Sequence, residues 1–260
     1  MLTNSQLAQF NSDGYYMARA LFDAEEADLL RKAARTDPSV TDKAFDRDDG
    51  SGGKSRITLW NDANDGLLSL FSRSERVVSA AEQILGGEVY HWHSKMMQKE
   101  PFVGGAWVWH QDYGYWYNDT CLFPLLVSCY IAVDPATREN GCLQVLKGSH
   151  HLGRINHVRV GEQTGADPER CTEAEKVMDL VYCEMEPGDA LFFHSNLLHK
   201  SDQNTSPNPR WALICCYNAR RNSPYGKSSH PAYSPLRRVP DTAIKEAGLR
   251  FLDAGVEFLS

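Results

Sequence analysis

Trp107-Val108-Trp109-His110-Gln111-Asp112-Tyr113 is the stretch on which the reading of this chain turns. In an extended strand, residues two apart share a face, so the His110 imidazole and the Asp112 carboxylate converge on one point. Burying an unpaired carboxylate is costly. A metal ion satisfies both side chains, which makes the pair two ligands of a metal site. The rest of the chain must then supply a third ligand and a pocket.

The surrounding pattern predicts what holds the stretch. Strand-like runs cover Glu88–Lys99, Ala106–Asp112, Leu125–Val133, Cys142–Leu146, Val177–Glu184, Ala190–His194 and Trp211–Asn218. Turn signals such as Gly104-Gly105, Glu139-Asn140-Gly141 and Pro187-Gly188-Asp189 separate them. Many short strands with regular turns point to a jelly roll or barrel. Helical patterns come mainly before them, over Thr3–Asn11, Ala24–Arg35 and Ser74–Leu85, with short strands at Tyr15–Phe22 and Arg56–Trp60. The expected layout is one domain, residues 1–260. It has an N-terminal helical layer (1–87), a jelly-roll core (88–218) and a C-terminal extension (219–260) that lies over the surface and ends in a short helix near Asp241–Leu252. The acidic, Gly-rich segment Asp42–Lys54 reads as a surface loop, or as a lid near the site.

Composition narrows the function. The 260 residues are 42% hydrophobic and 23% charged, which is ordinary for a globular protein. A net charge of −7 gives no basic stripe for nucleic acid. No apolar run reaches the ~20 residues of a membrane span, and Met1–Gln6 shows no secretory pattern. The seven cysteines are odd in number and include no CxxC, so reduced thiols in a cytoplasmic protein are expected. The partner expected is a small-molecule substrate, bound by a monomer or homodimer.

The third ligand must arrive from a later strand, because facing strands of a jelly roll are far apart in sequence. His199, just beyond the Ala190–His194 run, is chosen over His194. Two histidines and one carboxylate form a facial triad that leaves positions open on Fe(II) and suits oxygen activation with a chelating co-substrate. Arg210, eleven residues after His199, offers a planar fork for the far carboxylate of 2-oxoglutarate. Ser201 adds a hydroxyl donor. Zinc on the same ligands would instead suit hydrolysis. That alternative lacks an adjacent general base and leaves Arg210 without a role.

His110-Gln111-Asp112, Glu139-Asn140-Gly141-Cys142-Leu143, Gly148-Ser149-His150, the run Pro187–His194, and the His199/Arg210 spacing together resemble the phytanoyl-CoA dioxygenase family, whose relatives include ectoine hydroxylase. Asp13-Gly14-Tyr15 followed by Leu21-Phe22 and an acidic helix also looks like that family's start. The resemblance spans roughly Gln6 to Asn218. It implies a double-stranded β-helix, mainly β with flanking helices (a cupin-like jelly roll), using Fe(II), 2-oxoglutarate and O2. It implies iron on His110, Asp112 and His199, and the co-substrate carboxylate on Arg210. The resemblance also implies Arg56, Lys95 and Tyr130 as further 2-oxoglutarate contacts: Arg56 falls where the family often has Lys, and Tyr130 where an aromatic often lines the 2-oxoglutarate site. Lys95 falls where several members have Met, and this departure suggests an anionic substrate group. Asp112 stands where related halogenases have a small residue, so hydroxylation is favoured.

The aromatics around the first ligands read either as core or as a substrate wall. If the strand continues past Asp112, Tyr113 and Tyr115 share parity with the ligands and face substrate, while Trp107 and Trp109 face away. His91 and His93 would share one strand face, with His93 lining the pocket. The expected reaction is hydroxylation of a small polar metabolite, zwitterionic or anionic, with release of succinate and CO2. The alternatives are an acyl-CoA or lipid-like substrate, or a non-catalytic metal-containing jelly roll that only binds a ligand.

Overall fold

Helices with one apolar stripe and strands apolar on both faces determine how this chain packs. A computed structural model describes residues 1–63 and 66–257, the segment 251–257 through its backbone alone. Helix α1 (Asn4–Asp13) starts at a capping box between Thr3 and Gln6 and ends at Gly14, whose φ of 82° terminates the helix. Strand β1 (Tyr15–Ala18) follows. Asp23 and Glu26 form a second capping box for α2 (Ala24–Thr36). Pro38 opens a further turn, α3 (Pro38–Thr41), with Asp37 as its cap. Strands β2 (Phe45–Asp48) and β3 (Lys54–Trp60) form a hairpin. Helices α4 (Leu67–Arg73) and α5 (Glu75–Leu85) complete the first third of the chain, α5 ending at left-handed Gly86.

Next come β4 (Val89–Lys99), β5 (Trp107–His110), a single helical turn α6 (Asp112–Trp116), β6 (Leu126–Ala132) and β7 (Leu143–Leu146). A short hairpin of β8 (His157–Val160) and β9 (Gln163–Ala166) leads to α7 (Pro168–Val177). The last strands are β10 (Leu180–Cys183), β11 (Ala190–His194), β12 (His199–Ser201) and β13 (Arg210–Ala219). Helix α8 (Ala243–Glu257) lies near the C-terminus.

The strands form a seven-stranded sheet, β1-β11-β6-β13-β4-β3-β2, and a four-stranded sheet, β10-β7-β12-β5, with β8–β9 as a separate pair. This is the double-stranded β-helix. The central strands are covered on both sides, so they read as continuous apolar runs. On β13, Leu213, Cys215 and Tyr217 join Phe71, Val77 and Leu30 in the core beneath the helices. Ala212, Ile214 and Cys216 join Tyr130, Val145 and Leu191 in the core between the sheets. All seven cysteines are buried and free.

The structure redraws three of the expected boundaries. Strands β1, β2 and β3 belong to the large sheet, so residues 1–87 are more than a helical layer. The Asp42–Lys54 segment is largely the β2–β3 hairpin, closed by Asp49. That carboxylate accepts hydrogen bonds from the Ser51 and Gly53 amides, from the Ala106 amide and from the Gln203 side chain. The strand expected over Val177–Glu184 is limited to β10, because Val177 closes α7. Helix α7 escapes pattern reading because its surface, Glu169, Arg170, Thr172 and Glu173, is polar on most sides.

Burial opposes the Asp49 charge. The bonds from Gln203, Ala106 and Ser51 outweigh that effect and hold its pKa below the usual range. A depressed carboxylate stabilises the fold above its unfolded pKa of about 3.9, and that contribution is lost as pH falls through the folded value. Asp49→Ala should lower the free energy of unfolding at pH 7 by roughly 2 kcal/mol, the scale of hydrogen bonds to a charged group. In urea melts, the gap to wild type should begin to narrow as pH falls below about 4 and go on narrowing toward the folded pKa. A gap unchanged between pH 7 and pH 3 would remove the charge from the account.

Candidate active site

Antiparallel pairing of β12 with β5 sets His199 directly opposite His110. Their rings lie 4.0 Å apart, centroid to centroid. Strand β5 ends at His110, and Gln111 remains extended (φ −119°, ψ 133°). The Asp112 carboxylate therefore still falls on the side of His110, as the spacing of two predicts. Gln111 points the other way and clamps the strand end. Its amide donates to Gly153 O and Asn196 O, and its Oε1 accepts from the Ile155 amide. One ligand atom from each of His110, Asp112 and His199 lies within 4.8 Å of the others, and all three residues are buried.

The chemistry of this donor set fits a divalent metal. The His110 Nδ1–H donates to Val108 O (2.8 Å) and the His199 Nδ1–H to Leu197 O (2.9 Å). Each bond fixes the tautomer and leaves an Nε2 lone pair facing Asp112. Burial pushes both imidazole pKa values down, and for His110 the nearby His199 adds to the shift. Neutral imidazole is the form that binds metal. Ser128, on the inner face of β6, donates to Asp112 Oδ2 at 2.9 Å, leaving Oδ1 to face His199.

Two chambers meet at this triad. Ile57, Lys95, Trp107 and His110 line both. The smaller, about 70 Å³, also contains Tyr130, Ser201 and Arg210. Arg210 is buried on the inner face of β13, where Nη1 donates to the Tyr130 hydroxyl (2.7 Å) and Nη2 to Gly141 O (2.9 Å). Gly141 has φ 76°, and a Cβ there would stand 2.3 Å from Asp202 O, so this carbonyl reaches Arg210 on a backbone that favours glycine. Arg210 Nε is buried without a partner among the described residues.

Arg56 is not brought here. Alternation along β3 turns Ile57 and Leu59 inward, and Arg56 lies on the opposite face, half exposed and 3.5 Å from Asp46.

The larger chamber, about 640 Å³, is walled by the β2–β3 and β8–β9 hairpins, α6 and Trp107. Lys95 reaches into it with Nζ 3.9 Å from Asp112 Oδ1. Tyr115 and Trp116 line it, and the Tyr115 ring lies 5.7 Å from His110. Tyr113 does not. From Asp112 the chain is helical, so parity with the ligands ends there, and the buried Tyr113 hydroxyl donates to Cys121 O and Leu122 O. A register shift between β5 and β12 sets Trp107 opposite Ser201 while His110 pairs with His199, so Trp107, expected to face away, joins the wall. Trp109 packs outside, its indole N–H donating to Glu175.

His91 and His93 do not share a face. A β-bulge in β4 sets His93 opposite Cys216 while Tyr217 pairs with His91, so the alternation reverses between them. His93 lines the large chamber, and His91 bonds Asn61 O and Ser94 Oγ on the other side. His230 is a further lining residue that sequence reasoning passed over. It stacks on His93 with centroids 4.6 Å apart and is steadied by Asn61. No local pattern marks it, because the Pro/Ser-rich segment that carries it reads as surface. His194 and His157 lie outside the triad, with Gln111 N donating to His157.

The sequence profile of the family described as "Phytanoyl-CoA dioxygenase (PhyH)" matches residues 10–212. The chain belongs to the phytanoyl-CoA dioxygenase family. It is 32% identical over 188 residues to an L-proline trans-4-hydroxylase of Streptomyces griseoviridis, covering 66% of this chain and 69% of that one. An ectoine dioxygenase of Sphingopyxis alaskensis is 26% identical over 92% of this chain and 84% of its own. The crystal structures of EctD from S. alaskensis with bound Fe, and with 2-oxoglutarate and 5-hydroxyectoine, both superpose with a TM-score of 0.78 at 25% and 26% identity, covering 92% of this chain and 88% of theirs. The protein is a dioxygenase of the hydroxylase type, with iron and 2-oxoglutarate as its cofactors. Among the described residues, no helix is long and apolar enough to cross a membrane.

The Ser128 bond aims Asp112, and outer partners of this kind are worth roughly 10- to 100-fold in metal affinity. Ser128→Ala should weaken Mn(II) binding by about that factor in titration calorimetry, with the circular dichroism spectrum unchanged. Wild-type affinity in the variant would show that the hydrogen bond does not orient the ligand.

Proposed function

We propose that this protein hydroxylates a small polar metabolite carrying an anionic group. His110, Asp112 and His199 hold the iron, and Arg210 holds the far carboxylate of 2-oxoglutarate. Iron at this site, with 2-oxoglutarate and dioxygen, supplies the oxidising power to place oxygen on a substrate carbon, with release of succinate and CO2. The chain supplies position and shelter. The two Nε2 atoms and the Asp112 carboxylate present three ligands from one side. Tyr130 and Gly141 O hold the Arg210 guanidinium in the wall of the small chamber. Ser201, two residues after His199 on β12, lines the same chamber. Ile57, Met97, Leu143 and Phe193 close that chamber against water.

Lys95 carries the substrate assignment. Its ammonium enters the large chamber beside Asp112, so a substrate with a carboxylate or phosphonate finds a fixed cation next to the reacting centre. Asp48, Asp119, Arg47 and Gln163 in the walls would lose hydration against an acyl chain, which disfavours the lipid-like alternative. The proline and ectoine named for two relatives each combine a carboxylate with a nitrogen centre, in line with this reading. Tyr115, Trp116, Trp107 and His93 then form the wall against which the substrate body lies.

A panel of small carboxylic acids paired with their carboxamides tests the assignment. A substrate acid should stimulate succinate release, its amide should not, and Lys95→Met should erase the difference. Stimulation by acyl-CoA or neutral lipid, with none by any acid, would overturn it. Arg210→Leu should raise the KM for 2-oxoglutarate at least about tenfold, as expected for losing a charged hydrogen-bonded pair. An unchanged KM would refute that anchor.

A further inference from the structure

Lys99 is among the largest fully buried side chains of the molecule, and the site as described leaves it without a role. Burying an ammonium is costly unless its protons are satisfied. Lys99 Nζ donates to Ser201 Oγ at 2.8 Å and to Asp202 O, both neutral oxygens. It stands directly across the sheet from Arg210, on the strand face that also carries Lys95 and Met97. Two cations are therefore buried side by side, and Arg210 Nε still lacks a partner among the described residues. Burial and then Arg210 push the Lys99 pKa well down. The Asp202 and Asp49 carboxylates act on Lys99 only through space, and among the described residues no carboxylate bonds Lys99 or Arg210, so a bound carboxylate would find two cations without a bonded counter-charge.

Ser201 shows where that anion sits. Its hydrogen bond among the described residues is the one it accepts from Lys99. With a lone pair engaged by the ammonium, its own O–H is left to donate, and Ser201 lines the small chamber beside Arg210. Resting on the co-substrate placement proposed above, we infer that Lys99 is a positioning residue for the far carboxylate of 2-oxoglutarate, acting through Ser201. It fixes the hydroxyl as a donor and adds a second buried positive charge behind it. Asn204 Nδ2 also bonds Lys99 O, so a purely structural role in anchoring residues 201–204 is the competing account.

The two accounts separate on which end of the keto acid is sensed. Fe(II)-loaded protein, kept free of oxygen, is titrated calorimetrically with 2-oxoglutarate and with 2-oxopentanoate, which has the same keto-acid end and no far carboxylate. Lys99→Met should weaken 2-oxoglutarate by about tenfold or more, the scale of a charged hydrogen bond, and 2-oxopentanoate by less than about twofold. In a Ser201→Ala background the same change should cost far less, because coupled residues are not additive. Equal weakening of both keto acids, no weakening of either, or additive effects would overturn the inference. If Lys99→Met does not fold, Ser201→Ala decides. It should show the same selective loss, and an unchanged preference for 2-oxoglutarate refutes the relay. Arg210→Leu separates the two levels. If it retains the preference, the placement of the co-substrate is wrong. If it loses the preference and Lys99→Met does not, only the Lys99 role falls.

Discussion

The pairing of β12 with β5 is the contact on which the site depends. It sets His199 opposite His110 across 89 residues of chain. A three-residue strand holds this position because it is bonded on both sides, to β5 and to β7. His199 and Ser201 are two apart on it, so they share its inward face. The imidazole of the triad and the hydroxyl of the neighbouring chamber are therefore positioned by one strand. A slip of one residue would turn both outward.

The large sheet contributes by the same rule of alternation. Its central strands divide their residues between two cores. The face toward the small sheet collects Ser128 and Tyr130 from β6, Arg210 and Ile214 from β13, and Lys95 and Lys99 from β4. Most polar groups there have at least one partner: Asp112 for Ser128, Tyr130 and Gly141 for Arg210, Ser201 for Lys99. These satisfied bonds keep the side chains in fixed positions within an otherwise apolar layer.

Much of this is legible in sequence because it is periodic or closely spaced. His110 and Asp112 are separated by one extended residue, so their convergence follows from strand geometry even though the strand stops at His110. The helices expected over Thr3–Asn11, Ala24–Arg35 and Ser74–Leu85 are found within two residues of those bounds, because the Thr3 and Asp23 caps and the left-handed Gly14 and Gly86 are local chemistry. What escapes is whatever breaks a period. The helical turn at Asp112 takes Tyr113 out of the site, and the register shift between β5 and β12 brings Trp107 into it. The bulge at His93 separates it from His91. Arg56 lies one residue from Ile57, which takes the inward place. His230 and the β8–β9 hairpin are brought in by tertiary packing, which leaves no local signature.

The two chambers differ in what builds them, and the difference bears on how such a site changes substrate. The small one is lined almost wholly by strands of the two sheets, so altering it means altering the framework. The large one is walled by a hairpin tied through Asp49, a second hairpin, the turn α6 and a residue from the C-terminal segment. These walls sit outside the main sheets' central strands, where exchange of residues disturbs few hydrogen-bonded ladders. Lys95 is the exception, since it projects into the large chamber from a central strand. Its charge is held beside Asp112 by the same backbone that positions Lys99 and Met97. A preference for an anionic substrate would therefore be built into the rigid part of the molecule, while the hairpins and His230 shape the space for the rest of the substrate.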